Sequence, residues 1–105
     1  MSKFKYDETN QILTLILEGD LVIENLKEVK ASLLEAFDKT SRLIINHGNA
    51  SEFDLSYLQL LSSAVKTSEA SGKNISLENS SPEAFTSLVR ESGFINTKFF
   101  SGKIK

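Results

Sequence analysis

Leu43-Ile44-Ile45 is followed by His47-Gly48-Asn49-Ala50-Ser51-Glu52 and then by Phe53-Asp54-Leu55-Ser56-Tyr57-Leu58-Gln59-Leu60-Leu61. The stretch reads as strand, tight loop and helix. The first run is apolar with β-branched members, as a buried strand requires. The middle run breaks the periodicity with turn-forming residues. Asp54 then stands where a helix N-cap belongs, its carboxylate able to accept from an unpaired backbone N–H of the first turn. Phe53 and Leu58 have the spacing of a hydrophobic staple. Leu58, Leu61 and Val65 recur on one helical face, with Ala64 beside them. An acidic cap with hydroxyls beside it, at a strand-to-helix corner, is a place where a surface can be switched.

Outward from this corner the chain alternates strands and helices. Phe4 and Tyr6 alternate with Lys3 and Lys5, and 7–10 supply turn chemistry before the apolar run Ile12 to Leu17. These two runs read as a β-hairpin. Both faces of the second run are largely apolar, which places it centrally in a sheet. Glu18, Gly19 and Asp20 end it. A helix follows with Asn25 as its expected cap and Glu28 three residues on, the spacing of a capping box. Leu26, Val29, Leu33 and Ala36 or Phe37 form its apolar stripe, and Val22-Ile23 reads as an earlier turn. Beyond the central helix, Ser71-Gly72-Lys73-Asn74 is a stop signal. Ile75 and Leu77 alternate with polar residues, as on an edge strand or one with a wet face. Pro82 suits the first position of a last helix, with Phe85, Leu88 and Val89 on its buried side and Gly93 at its end. Phe94 and Ile95 are expected to fold back on the core, and 96–105 to form a tail or a short final element.

The order β-β-α-β-α-β-α predicts an α/β fold. Its sheet is mixed and mainly parallel, with an opening hairpin and crossover helices mostly on one side. At 105 residues the chain forms one domain, 1–105, with its core at about 3–95. A formal net charge of −2 gives no long-range attraction for nucleic acid or an anionic membrane. Cysteine is absent, which removes disulfides and thiol chemistry. The amino-terminal residues lack the apolar run of a signal peptide, and no stretch approaches the roughly 20 apolar residues of a membrane span. The expected location is the cytoplasm.

Chemistry is scarce. His47 is the only histidine, so no Cys/His metal cluster can form. No nucleophile elbow surrounds any serine, and His47 reads as a polar residue at a strand end rather than a base. The five glycines are scattered and form no phosphate-binding loop. No residue is assigned as catalytic, cofactor-binding or metal-binding.

Leu15-Ile16-Leu17-Glu18-Gly19-Asp20-Leu21, Phe53-Asp54-Leu55-Ser56-Tyr57, Gly72-Lys73-Asn74-Ile75-Ser76-Leu77, Ser81-Pro82-Glu83-Ala84-Phe85 and Ser92-Gly93-Phe94 occur in an order and spacing that resemble a STAS domain. That family comprises bacterial anti-sigma-factor antagonists and related sulphate-transporter segments. Val22-Ile23-Glu24-Asn25 and Leu58-Gln59-Leu60-Leu61 are similar to variants encoded with bacterial chemosensory systems. The resemblance implies a non-enzymatic protein-interaction module of bacterial signal transduction. Its partner would be an anti-sigma factor/serine kinase or a chemosensory component, bound by a monomer or weak dimer, without nucleic acid or membrane insertion. The alternative is a constitutive scaffold or assembly subunit of a chemosensory or transporter complex. A small-molecule or nucleotide binder is a lesser reading.

In the family, the serine directly after the aspartate is phosphorylated and binding is lost. By resemblance Asp54 matches that aspartate, and Leu55 stands at the acceptor position without a hydroxyl. Ser56 matches the second serine and is the candidate phosphorylation site; otherwise it is a helix-start residue, an alternative cap paired with Gln59. Tyr57 replaces a glycine. Its ring lies either on the partner surface or against the core. The expected partner-binding residues are Asn49, Ser51, Asp54, Leu55, Ser56 and Tyr57.

Overall fold

Asp7 closes the opening hairpin. Its carboxylate accepts from the N–H groups of Thr9 and Asn10 at 3.0 and 3.3 Å and from the Asn10 side chain at 2.9 Å. The Asn10 side chain first, then the Asn10 backbone N–H, with a smaller part from the Thr9 N–H, lower its pKa from the usual carboxylate value against an opposing desolvation. The computed structural model describes residues 2–78 and 81–93. Strand β1 (Ser2–Asp7) runs antiparallel to β2 (Ile12–Leu17). Along β2, Leu13, Leu15 and Leu17 are buried while Ile12, Thr14 and Ile16 are half-buried, the period-2 pattern of a sheet covered on one face.

Helix α1 (Leu26–Lys39) carries the chain back to β4 (Arg42–Asn46), which pairs parallel with β2. Helix α2 (Leu55–Ala70) crosses to β6 (Asn74–Leu77), which pairs parallel with β4. The main sheet has the order β1-β2-β4-β6, so β2 is central and β6 lies at an edge, as its alternation predicts. Helix α3 (Glu83–Ser92) follows and ends at Gly93, whose φ of 88° is the left-handed conformation that glycine adopts freely. Val29, Leu33 and Ala36 of α1, Leu58 and Leu61 of α2, and Phe85 and Val89 of α3 close over the inward leucines and isoleucines of the sheet in one core. Crossover helices thus gather on one face, as expected.

Three local features differ from the sequence reading. First, Gly19–Leu21 (β3) and Ala50–Phe53 (β5) pair parallel in a separate two-stranded ribbon, where the residues alone suggest a strand end and a loop. Segments of three and four residues with polar members carry no legible period; their pairing partner, distant in sequence, makes them strands. Gly19, with φ of 85°, provides the left-handed turn from β2 into β3. Second, Asn25 precedes α1 but its side chain does not cap it; it donates to the Asp20 carbonyl at 2.9 Å. The capping box with Glu28 therefore does not form. A single 3-10 turn, Ile23–Asn25, runs directly into α1 and supplies the acceptor for the Leu26 N–H. This bears out the earlier turn expected at Val22-Ile23. Third, Pro82 is the extended N-cap of α3 rather than its first helical residue, and its carbonyl accepts from Phe85 and Thr86.

The expected packing of Phe94 and Ile95 and the 96–105 tail lie outside the described residues. Among the described residues no helix is long and apolar enough to cross a membrane.

Candidate functional site

The corner between β5 and α2 is built on Asp54. Its backbone is extended, with φ −132° and ψ 177°, and it ends β5 before α2 winds. Carboxylate Oδ1 accepts from the Tyr57 N–H at 3.3 Å, the N-cap bond expected of this residue. Oδ2 accepts from the Ile23 N–H at 2.9 Å. One side chain thus closes the start of α2 and fastens it to the turn that precedes α1. Sequence reasoning finds the first bond from the helix pattern. The second joins groups 31 positions apart and leaves no local signal.

The expected surface residues separate into two sets. Asn49 is exposed in the turn between β4 and β5, where the Ala50 N–H reaches the His47 carbonyl at 3.1 Å. Ser51 is exposed on β5, Asp54 and Ser56 are half-buried, and Leu55 is 47 % exposed. Of the two settings open to Tyr57 the core one holds, which removes it from the expected partner-binding residues: it is 0 % exposed and points into the core. The residue at this position therefore contributes packing, and Leu55 is the large apolar group that the corner presents outward.

Tyr57 is buried against three other rings. Its centroid lies 5.6 Å from Phe53, 6.1 Å from Phe85 and 5.8 Å from His47. Burial pushes its phenol pKa up, so the hydroxyl stays protonated. That hydroxyl is 2.7 Å from His47 Nδ1, and His47 Nε2 is 3.0 Å from the Ser81 hydroxyl. His47 is 1 % exposed, and burial lowers its pKa to about 4, so the imidazole is neutral near pH 7. A neutral ring has one donor and one acceptor nitrogen. The sealed phenol has Nδ1 as its hydrogen-bond partner, and donating there satisfies its proton. Nε2 then carries the ring hydrogen and donates to Ser81. In that tautomer the nitrogen facing the serine offers no lone pair. His47 follows the last residue of β4, as read from sequence, but as a buried tie between β4, α2 and the approach to α3.

Alongside the corner, α1 and α2 leave a depression of about 490 Å³. Ser56 and Gln59 of α2 face Ile23, Lys27 and Lys30 across it. Lys27 and Lys30 lie off the apolar stripe of α1 and are exposed. The packing of α1 against α2, with Ile23 fastened to the start of α2 by Asp54, brings them opposite Ser56. Among the described residues, no group of three His, Asp or Glu side chains is placed to hold a metal ion.

The family model described as "Mlab, STAS domain" matches residues 4–97. The chain belongs to the STAS domain family. Among solved structures, the Bacillus cell fate determinant SpoIIAA in its phosphorylated form is similar, with a TM-score of 0.65 and 21 % identity over 89 % of this chain and 84 % of that one. The anti-sigma factor antagonist SpoIIAA in its unphosphorylated form gives 0.65 and 19 %, over 91 % and 84 %. The STAS domain of an anti-sigma-factor antagonist from Rhodobacter sphaeroides gives 0.63 and 20 %, over 80 % and 92 %. At these identities the likeness is one of STAS fold. No curated protein sequence matches the chain.

Proposed function

We propose that this STAS domain is a non-enzymatic protein-interaction module of bacterial signal transduction, acting in the cytoplasm. It would bind a regulatory protein such as an anti-sigma factor/serine kinase through Asn49 to Ser56 and the exposed side of the first turns of α2. The observation that carries this reading is the Asp54 corner. A doubly bonded carboxylate holds the start of α2 rigidly and presents Leu55, 47 % exposed, outward. An exposed apolar residue on a fixed backbone is suited to fill a partner pocket, because little ordering entropy is lost on binding.

A second reading is favoured by the same residue. Leu55 has no hydroxyl at the position where the family carries its phosphoacceptor. Constitutive binding, as a scaffold or assembly subunit of a chemosensory or transporter complex, needs no acceptor there.

Affinity capture from the source cells tests both. A partner retained by the native chain and by Tyr6→Ala, on the hairpin, but lost with Leu55→Asp, supports the corner as the binding surface. Retention by Leu55→Asp would exclude it. Phosphate on the captured chain favours the switch; its absence after incubation with the captured partner and ATP favours constitutive assembly.

A further inference from the structure

Of the four large apolar side chains that stand exposed among the described residues, two lie along the line where α1 meets α2. Ile23 is 64 % exposed and Leu34 is 56 % exposed. Between them runs a groove made of two adjoining depressions, which share Lys30, Leu60 and Ser63. Leu26 and Phe37 of α1 and Leu60 of α2, all half-buried against the core, give it an apolar floor. From Ile23 to Phe37 the groove is about 20 Å long at 1.5 Å per residue. That is the length of about four turns of helix, and two helices side by side offer the ridges against which a third packs.

Charge identifies the occupant. The groove is lined by Lys27 and Lys30 and by no carboxylate. The ion pair found among the described residues, Lys39 with Glu35, lies elsewhere on α1 and leaves both lysines uncommitted. On a chain of net charge −2 this is a local positive rim around an apolar floor. The opposite wall offers Ser56, Gln59, Ser63 and Thr67, which can donate to carboxylates as well. A second copy of α1 would bring its own lysines to this rim and is disfavoured.

We propose that the α1–α2 groove docks an acidic amphipathic helix of the partner protein. Apolar residues of that helix at i, i+3 or i+4 and i+7 seat on Leu26, Leu60 and Phe37, and carboxylates flanking them meet Lys27 and Lys30. This rests on the reading of the α2 start as a partner surface and extends that surface from Ser56 along α1. Ser56 lies on the groove wall, so a negative charge there would oppose the same helix.

The test uses a dye-labelled 16-residue peptide, with leucines at helical spacing flanked by glutamates, and its counterpart with every glutamate replaced by lysine. Fluorescence anisotropy should show the acidic peptide binding the native chain at least tenfold more tightly than the basic one. Lys27→Glu/Lys30→Glu, both exposed and folded by circular dichroism, should reverse that order. Backbone NMR shifts should move at Ile23, Lys30 and Leu60 and stay still on the hairpin. Equal affinity for both peptides, shifts centred away from α1, or self-association of the free chain through this face would overturn the proposal. Capture of the native partner separates the two readings. If Leu55→Asp releases it and Lys27→Glu/Lys30→Glu does not, the groove is wrong and the corner stands. If neither releases it, both fail.

Discussion

The Asp54 carboxylate accepts a hydrogen bond from the Ile23 backbone N–H at 2.9 Å while its other oxygen caps α2. Two helix starts, separated by the whole of α1 and β4, are therefore held by one side chain. That bond ties the turn before α1 to the start of α2, beside the groove between the two helices, while the shared core packs their buried faces.

Replacing Asp54 should thus cost more than a cap. Asp54→Ala should destabilise the fold by about 1–2 kcal/mol, the upper part of the range for a lost N-cap, because a second backbone N–H also loses its acceptor. Urea denaturation measures this. A loss below about 0.3 kcal/mol would mean that water replaces both bonds without penalty. Asp54→Asn, which keeps one acceptor oxygen, should recover part of the difference.

Tyr57 offers a cleaner test of the core. Tyr57→Phe keeps the ring and removes the hydroxyl, leaving His47 Nδ1 buried without its 2.7 Å partner. The expected cost is about 1–3 kcal/mol, the penalty for one unsatisfied buried polar atom. Partner affinity should change little, since the side chain is sealed from the surface. Loss of binding with unchanged stability would contradict the buried assignment.

Stability should also fall on mild acidification. An unfolded chain takes up a proton on His47 near pH 6.5, whereas the folded site resists until about pH 4. Above 6.5 neither state is protonated and the residue contributes no pH dependence. Between 6.5 and 4 the unfolded state binds more protons, so folding stability declines as pH falls. At about 1.4 kcal/mol per unit the loss approaches about 3 kcal/mol by pH 4. Comparing denaturation midpoints at pH 7, 6 and 5 isolates the effect. His47→Gln, although less stable at pH 7, should show a flatter profile from 6.5 to 5.

Charge at Ser56 should leave the fold intact. Phosphate adds about −1.5 to −2 charge at neutral pH. The α2 N-terminus favours that charge by roughly 0.3–1 kcal/mol and Asp54 opposes it. Ser56→Asp should therefore shift stability by less than about 1 kcal/mol while weakening partner binding. Mass spectrometry after incubation with the kinase partner reads the native modification. Phosphate only on Ser51 or Ser62 would remove Ser56 from consideration.

The amino-acid sequence alone determines the strands of the main sheet, the three helices and their order. Leu13, Leu15 and Leu17 alternate, Val29, Leu33 and Ala36 recur at helical spacing, and Asp54 precedes an apolar periodic run, because each of these signals is set by neighbours within a few residues. From them follow the hairpin, the central position of β2, the one-sided helices and the cap on α2. The STAS resemblance is legible for the same reason, in local motifs kept in order. Only the tertiary structure decides what each side chain meets. The β3–β5 ribbon, the bond from Asp54 to Ile23 and the line from Tyr57 through His47 to Ser81 all join groups far apart in the chain. Tyr57 shows why this matters: a residue in the first turn of a helix can face solvent or core, and its identity does not distinguish the two. Burial of Tyr57 follows from the direction in which Asp54 starts α2 and from the space left among Phe53, His47 and Phe85. Those are properties of packed neighbours, which no local pattern encodes.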